Sequence, residues 1–262
     1  VFGVTLEQVA LVRWVPSDNR TSKYHIWPDE YASFEPPDEL VSDPPAGLGY
    51  FLSLASTGTL SASGKGITAD SYNISLVYGT GAPRGWNLIG NPYGSYVDWG
   101  SVEFLSDSGR QDLSEAIDPD GDPVTDGVLF DYVSTSGGGY YSFDSDPTQS
   151  TMAPLTGYWV HVLKDATLIV YNTGSTTAST KTERQSTSRA SAQSSPPSAS
   201  RWTLQLKAVA GKYEDPANYL GVAAAATAGY DVGLDVAEPP ALVDTLRLYM
   251  PASEGNLAKD VR

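Results

Sequence analysis

Cysteine is absent from the 262 residues of the chain, and histidine and methionine occur only twice each. Without thiols the protein can form no disulfide bond, thiolate metal site or cysteine nucleophile. Histidine is the side chain that most often acts as a general base near neutral pH, and only His25 and His161 are present. No serine lies in a Gly-x-Ser-x-Gly turn either. We therefore expect that the protein is not an enzyme.

Basic residues and long apolar runs are also scarce. The 16 Lys and Arg residues are outnumbered by 31 Asp and Glu residues, which gives a net charge of −15. Such a charge repels phosphate backbones and anionic lipid surfaces, so we exclude nucleic acid as a partner. No apolar run approaches the roughly 18 residues that span a bilayer, and Val1 is not followed by a leader. We expect no transmembrane segment and, if the protein is exported, a signal that has already been removed.

One segment, residues 172–201, has no side chain more apolar than alanine or proline. It holds 15 Ser or Thr in 30 residues, and its four basic residues against one acidic residue give +3. Such a composition cannot form a core, and it fits either a flexible linker between two acidic domains, 1–171 and 202–262, or an O-glycosylated stalk. A stalk would make the protein a glycoprotein, with acceptors such as Thr176, Thr177, Ser186, Thr187 and Ser195.

On either side of this linker, short strands alternate with turn residues. Segments rich in β-branched and aromatic residues are bounded by Gly, Pro, Asn or Asp, as in "YNISLVYG", "GWNLIG", "SVEFL", "GVLFDYV", "GYWVHVL" and "ATLIVYN". Helical patterns are confined to a turn at "RQDLSEAI" and to the alanine run near residue 224. The pattern predicts an all-β protein with a duplicated β-sandwich-like N-terminal domain and a smaller β-sandwich-like C-terminal domain.

The N-terminal domain repeats its own pattern. Residues 10–60 and 127–174 each contain a strand with aromatic residues, a polar hairpin, a Tyr-containing strand, a loop, a Gly-Tyr-aromatic strand and a last strand. We interpret this as a duplication, with halves at about 1–80 and 81–171. Only the second half is preceded by "GWNLIGNPY", and because the chain begins at "VFGVT", the first half has no equivalent of that strand.

The stretch "GWNLIGNPYGSYVDW" predicts the core of the N-terminal domain. Trp86 to Ile89 is typical of a short buried strand, and Gly-Asn-Pro then turns the chain. We expect Trp86 and Trp99 to anchor the core where the two halves meet. The residues predicted to be structural are Trp86, Asn91, Pro92, Trp99, Tyr158 and Trp159.

These stretches also carry a family resemblance. "GWNLIGNPYGSYVDWGSVEF" and "GYWVHVLKDATLIV" resemble a repeat of large secreted and cell-surface bacterial proteins, in which a "GWNLISLP"-like strand opens one half and "GWNLIGNP" opens the other. The C-terminal "YEDPANYLGVAAAATAGYDVGLDVAEPP" and "TLRLYM" are similar to a β-rich module that often follows such repeats. The resemblance covers most of the chain outside the linker, and it implies a structural module located outside the cell or on its surface.

The absent opening strand leads to a hypothesis about assembly. A sheet that lacks a strand exposes unpaired backbone groups, and proteins rarely leave such an edge open. Either the strand belongs to a longer polypeptide, or a neighbouring subunit supplies it by β-augmentation. The second interpretation makes the protein a non-enzymatic, self-assembling fibre or surface-layer subunit, and thus a homo-oligomer or polymer. The alternatives are a carbohydrate-binding or adhesion module and a non-catalytic accessory region of a larger secreted hydrolase.

The stretch "DPDGDPVTDG" is the candidate metal site. Its carboxylates occupy positions 1, 3, 5 and 9 of a calcium-loop register, and a backbone carbonyl fills position 7. The register is incomplete, because Pro123 replaces the usual glycine and Leu129 replaces the bidentate Glu. Calcium is therefore a possible cofactor, and an acidic solvated turn is the alternative. The ligands in this prediction are Asp118, Asp120, Asp122, the carbonyl of Val124, and Asp126.

A second acidic set lies in the C-terminal domain, where turn and capping roles explain most of its members. It consists of Asp215, Asn218, Asp231, Asp235 and Glu238. Aromatic residues beside polar turns form a separate candidate surface, because an exposed row of flat rings can stack on the faces of surface glycans. Core packing uses the same residue types, so their exposure decides between the two interpretations. The rings in question are Trp14, Tyr24, Trp27, Tyr31, Tyr140 and Tyr141.

Overall fold

A computed structural model describes residues 9–18, 23–27, 46–54, 67–135, 138–144, 147–172, 202–240, 246–252 and 255–262. These residues form mostly antiparallel strands, which confirms the all-β fold class. The strands are β1 Val9–Trp14, β2 Tyr24–Trp27, β3 Phe51–Leu54, β4 Ser71–Leu76, β5 Trp86–Gly90, β6 Val97–Asp98, β7 Glu103–Ser106, β8 Gly109–Asp112, β9 Thr125–Thr135, β10 Gly138–Phe143, β11 Thr151–Met152, β12 Gly157–Val162, β13 Ala166–Tyr171, β14 Trp202–Ala210, β15 Tyr213–Val222, β16 Val236–Ala237, β17 Met250–Ala252 and β18 Gly255–Val261. The short helices are α1 Leu113–Ala116 and 3-10 turns at Trp99–Ser101 and Pro147–Gln149.

The strands are arranged in sheets with the orders β2-β1-β3, β10-β9-β12-β5, β11-β6, β4-β13-β7-β8 and β14-β15-β18-β16, and β17 also pairs with β18. We call β10-β9-β12-β5 the central sheet. The described residues before the linker form the N-terminal module, and those from 202 onwards form the C-terminal module. Within the C-terminal module β15 and β18 run parallel. No helix in the described part of the chain is long and apolar enough to cross a membrane.

Two of the sheets have similar strand orders, as the predicted repeat requires. In the first sheet, β1 lies between its hairpin partner β2 and the later strand β3, just as β9 lies between β10 and β12 in the central sheet. In the central sheet, β5 pairs with the outer edge of β12. Within the described ranges no strand occupies the equivalent position beside β3. The boundary near residue 80 is not a break between sheets, because β4 pairs with β13.

The central sheet is buried on both faces. Along β5, Trp86 and Leu88 belong to one core cluster and Ile89 belongs to another. The same alternation occurs in β12, where Trp159 and Val160 belong to opposite clusters. Successive side chains of a strand point to opposite faces, so a strand covered on both sides is mostly apolar, and a polar side chain within it needs hydrogen-bond partners. Both strands fit this rule, because β5 and β12 are mostly apolar and the buried Asn87 of β5 is hydrogen-bonded.

Each face of the central sheet has its own core. On one face, its side chains pack with those of β4, β7 and β13 in a cluster that includes Ile74, Phe104 and Leu168. On the other face, they pack with Trp14 of β1 and with Val236 of the C-terminal module. The central sheet is therefore the layer on which both modules depend. The arrangement of the sheets as sandwiches stays a prediction.

The predicted structural residues lie in or beside these cores. Trp86, Trp99, Tyr158 and Trp159 each expose 6% or less of their surface, and Pro92 is also buried. Trp86 shares a cluster with Trp14, and Trp99 shares the other cluster with Ile74, so both clusters contain residues from both halves. The complete set of predicted structural residues is Trp86, Asn91, Pro92, Trp99, Tyr158 and Trp159.

The turn after β5 has specific local causes. Gly85 has φ +76°, and a Cβ atom there would lie 2.1 Å from the Val162 carbonyl oxygen, so only glycine fits before Trp86. After the strand, the Asn91 amide donates to the carbonyl oxygens of Ser95 and Met152 at 2.8 and 2.9 Å. Strand pairing ends at Gly90, and these two hydrogen bonds hold the turn that directs the chain away from the sheet.

The helical expectations had different outcomes. The pattern "RQDLSEAI" does contain a helical turn, α1, which begins with a capping box between Asp112 and Glu115. The alanine run near residue 224 is not helical, so that expectation was wrong. Four alanines are too short to nucleate a helix, and the run is fixed at its start by a bond of 3.0 Å from Ala223 N to the Arg262 carbonyl oxygen.

Candidate functional site

The C-terminal module contacts the N-terminal module through Pro240, a contact that we call the proline clamp. The carbonyl oxygen of Pro240 accepts hydrogen bonds from the hydroxyls of Tyr24 and Tyr141, at 3.0 and 3.1 Å. Burial raises the pKa of both tyrosines well above the usual range, so both hydroxyls keep the proton that they donate. Proline offers a carbonyl but no N–H, which suits a position where only an acceptor is needed.

Beside the clamp, a buried carboxylate joins the two modules. Asp126 of β9 has a fully buried side chain, and its Oδ2 accepts from the Tyr230 hydroxyl at 3.1 Å. The Nδ1 atom of His161 in β12 lies 3.1 Å from the same oxygen. Since an ionised carboxylate only accepts hydrogen bonds, His161 holds its proton on Nδ1 and directs Nε2 away from Asp126. The imidazole ring also stacks on Trp86, with ring centroids 4.8 Å apart.

A second ionisable pair, Arg247 and Glu238, belongs to the C-terminal module. The Nε atom of Arg247 is 3.0 Å from Glu238 Oε1, and its Nη2 donates to the Pro239 carbonyl oxygen at 2.6 Å. Burial raises the pKa of Glu238 to about 7, although Arg247 opposes this shift. Glu238 can therefore gain or lose a proton near neutral pH, which is unusual for a carboxyl group.

Two cations, Lys23 and Arg84, belong to the N-terminal module. The Lys23 ammonium is buried and donates to the carbonyl oxygens of Pro16, Thr80 and Gly81, at 3.0, 3.2 and 3.3 Å. Burial lowers the pKa of Lys23; the charge of Asp18 opposes this shift, and the charge of Arg84 adds to it. The exposed Arg84 guanidinium lies 5.3 Å from the centre of the Tyr78 ring. Within the described ranges, neither cation is in an ion pair with a carboxylate.

These groups line one cleft between the modules, which we call the interdomain cleft. Its volume is about 830 Å³, within the range of pockets that hold small molecules. Its walls combine aromatic rings with both signs of charge. The lining residues include Tyr78, Arg84, Trp86, His161, Tyr230, Glu238, Arg247 and Asn256.

The structure does not bring the predicted calcium ligands together. Asp118 accepts from the Asp120 backbone N–H at 3.0 Å, and Asp122 pairs with Lys164 and Ser108, whose hydrogen bonds lower its pKa. The Val124 carbonyl already accepts from Leu163 N at 2.8 Å. The Asp126 side chain is fully buried and contacts His161 and Tyr230 instead. In the described part of the chain, no group of three or more His, Cys, Asp or Glu residues could hold a metal ion.

The second acidic set serves mostly in turns. Asp215 accepts from the Leu248 N–H at 2.7 Å, and Asp231 accepts from the Thr227 N–H at 2.6 Å. Asp235 accepts from two backbone N–H groups, those of Asp231 and Val261, both at 2.8 Å. Asn218 differs from these carboxylates, because its side chain is fully buried and neither of its amide atoms has a hydrogen-bond partner among the described residues.

The aromatic residues do not form an exposed row among the described side chains. Trp14 and Tyr141 expose 5% and 8% of their surface, and the Tyr24 hydroxyl is held by Pro240. The side chains of Trp27 and Tyr140 and the whole of Tyr31 lie outside the described residues, as do the linker positions proposed for glycosylation. The described rings are therefore used in packing.

Sequence reasoning did not find the Asp126 and His161 pair. The sequence predicted Asp126 to be a calcium ligand and assigned no contact to His161. The two residues are 35 positions apart and meet because β9 pairs with β12. Each lies on a recognisable strand, but nothing in the pattern specified which strands pair. Tyr230 and Glu238 reach the cleft only by docking of the C-terminal module, for which the sequence has no local signal.

No protein-family model, curated protein or solved structure matches the chain. The resemblance to repeats of bacterial surface proteins therefore stays a prediction. Proposals about function depend on the geometry of the chain itself.

Proposed function

We propose that the protein is a non-enzymatic structural subunit, extracellular or on the cell surface, that assembles with copies of itself by strand addition at β14. The observation that carries the proposal is the exposure of this edge strand. Trp202, Leu204 and Val209 are exposed by 53%, 53% and 64%, respectively. Within the described ranges β14 pairs only with β15, so one row of its backbone N–H and C=O groups remains for another strand.

For an edge strand β14 is long and nearly uncharged, although its pairing with β15 has a register irregularity between Leu206 and Ala208. Natural edges are commonly short, bulged or charged, which prevents pairing with other chains. Here the edge is nine residues long, "WTLQLKAVA", and Lys207 is its only charged residue. That charge is paired within the chain, because Lys207 Nζ lies 2.5 Å from Glu214 Oε2. An uncharged, apolar edge of this length favours association with a strand of similar character.

A second copy of β14 is the best partner that the described residues offer. In an antiparallel pair centred on Leu206, each Leu204 would face Ala208 of the other copy, and each Trp202 would face Ala210. Large side chains would then meet small ones on the apolar face, which allows close packing. On the opposite face, Lys207 would face Gln205, so the pair would contain no repulsion between like charges.

Polymer growth needs a second contact, since a single two-fold interface stops at a dimer. The outer edge of β3 offers such a contact. It corresponds to the edge of β12 that pairs with β5, but no described strand pairs with it. Leu52 of this strand is 38% exposed. With one contact at β14 and another at β3, subunits could form an open chain. The Ser/Thr-rich linker and the resemblance to surface-protein repeats support a location outside the cell.

The proposal is tested by sedimentation velocity over a concentration series, with negative-stain imaging of the native material. Leu204→Lys places like charges near a two-fold β14 contact and should convert oligomers into monomers. Leu155→Lys is the matched control, because Leu155 is 96% exposed and lies outside β14. The proposal is wrong if the unmodified chain stays monomeric at every concentration, or if both variants assemble as well as the unmodified chain.

A further inference from the structure

The interdomain cleft has an electrostatic character opposite to that of the whole chain. The protein carries a net charge of −15, yet the cleft is lined by Arg84, Lys23 and Arg247, against which Glu238 is the one carboxylate of its described lining. Lys23 spends its three donors on carbonyl oxygens, so it contributes a fixed positive charge and no further hydrogen bonds. A local positive wall in an acidic protein concentrates small anions at that site.

Two groups on this wall retain donor or acceptor capacity. The Arg84 guanidinium lies over the Tyr78 ring, a contact that uses its π face and leaves its N–H groups for a ligand. His161 is fixed by Asp126 through Nδ1, so its Nε2 is the free atom of the ring. Gly85 lies directly beside it, since a Cβ atom at Gly85 would be 2.9 Å from Nε2. The missing side chain keeps this part of the wall open.

The other walls offer contacts for a flat, hydroxylated body. Tyr78 and Tyr230 are partly exposed rings, and Asn256 is an exposed amide. Glu238 is the remaining polar group, and near pH 7 it can either donate or accept a hydrogen bond. Aromatic faces pack on the C–H surface of a sugar ring, while amide and carboxyl groups bind its hydroxyls.

We propose that the interdomain cleft binds an acidic saccharide, with the carboxylate of a hexuronate at Arg84, one of its hydroxyls donating to His161 Nε2, and its ring between Tyr78 and Tyr230. A guanidinium binds a carboxylate through two parallel hydrogen bonds, a geometry that a lysine ammonium does not reproduce. The cleft volume of about 830 Å³ leaves room for more than one sugar ring. This site is independent of β14, so it does not depend on assembly.

The test is isothermal titration of the full chain with trigalacturonate, with the neutral galactose trisaccharide and inorganic phosphate as comparisons. Trigalacturonate should bind and the neutral sugar should not. Arg84→Gln should weaken binding about tenfold or more, as expected for loss of a hydrogen bond to a charged group, and His161→Gln should weaken it by a smaller factor, because it removes an acceptor for a neutral hydroxyl. Arg110→Gln is the control, because Arg110 is an exposed arginine paired with Glu103 at 3.3 Å, away from the cleft.

Each other outcome overturns the proposal. If the neutral sugar binds equally well, the cleft does not recognise the carboxylate. If phosphate competes as strongly as trigalacturonate, the site binds anions without selecting a saccharide. If trigalacturonate binds but Arg84→Gln and Arg110→Gln have equal effects, or if it does not bind at all, the cleft is not the site.

Discussion

The hydroxyl of Tyr230 donates a hydrogen bond of 3.1 Å to the carboxylate of Asp126, across a separation of 104 residues. This bond joins the C-terminal module to the central sheet at a point from which water is excluded. Burial raises the pKa of Tyr230 well above its ordinary value, with the Asp126 charge as the next cause, so the proton stays on the tyrosine. The two modules therefore share a buried polar contact as well as an apolar one.

Removing this hydroxyl should destabilise the protein. Tyr230→Phe leaves the buried Asp126 carboxylate with one donor fewer, which should cost about 1–3 kcal/mol of unfolding free energy. Urea denaturation followed by tryptophan fluorescence measures the change. Tyr249→Phe serves as the control, since Tyr249 is 44% exposed and should change stability by less than about 0.5 kcal/mol. Equal effects of the two substitutions would contradict the role given to Tyr230.

Stability should fall with rising pH because of Glu238. Its folded pKa of about 7 lies above the ordinary 4.5, so the folded protein holds this proton more tightly than the unfolded chain does. The contribution is fully present below pH 4.5 and is lost as the pH rises through about 7. Between these limits, the unmodified protein should lose about 3 kcal/mol relative to Glu238→Gln.

The measurement for Glu238 is urea denaturation at several pH values, in which the free-energy difference between the two proteins is plotted against pH. Glu214→Gln is the comparison variant, because the Glu214 side chain is 37% exposed. Its difference from the unmodified protein should vary little with pH. A flat plot for Glu238→Gln would show that the carboxyl is not buried in the folded protein.

Asn218 should be replaceable by an apolar residue of similar size. Its amide is buried without hydrogen-bond partners, so the folded state pays the cost of desolvation without compensation. Asn218→Leu should therefore raise the unfolding free energy by about 1–2 kcal/mol. A loss of stability would mean that the amide has a partner in solution.

Asn87 supplies the matched comparison for that substitution. It is also a buried asparagine in a strand, but its side chain makes three hydrogen bonds, two with Val77 and one with the Gly85 carbonyl oxygen. Asn87→Leu should lower the unfolding free energy by about 2 kcal/mol or more, because those backbone groups lose their partner. The opposite signs at two buried asparagines identify the hydrogen bonds as the cause.

The sequence predicted local structure better than long-range structure. The strand at Trp86, the glycine before it and the turn at Asn91 all follow from residue types that suit a single backbone conformation. The repeat was visible because both copies keep the same order of strands. The failures have a common cause: the carboxylates of "DPDGDPVTDG" matched a ligand register, but Asp126 continues into a strand whose pairing with β12 places it beside His161.

The cleft was beyond prediction for the same reason. Its walls come from β2, β5, β12 and the segment after β16, which are far apart in the chain. The exposure of β14 was likewise hidden, because an alternating apolar strand such as "WTLQLKAVA" is equally typical of a buried strand. Which face of a strand is covered depends on what packs against it, and this is a property of the whole fold.

Disulfide trapping tests self-association at β14 most directly, and the absence of cysteine from the chain makes a single introduced thiol unambiguous. Leu206→Cys places two thiols opposite each other in an antiparallel pair centred on this residue, within reach of a disulfide. Under mild oxidation, we predict a covalent dimer with Leu206→Cys and little dimer with Leu155→Cys, whose site is 96% exposed. Equal yields from the two variants, or no dimer from Leu206→Cys at concentrations where the chain associates, would contradict strand addition at β14.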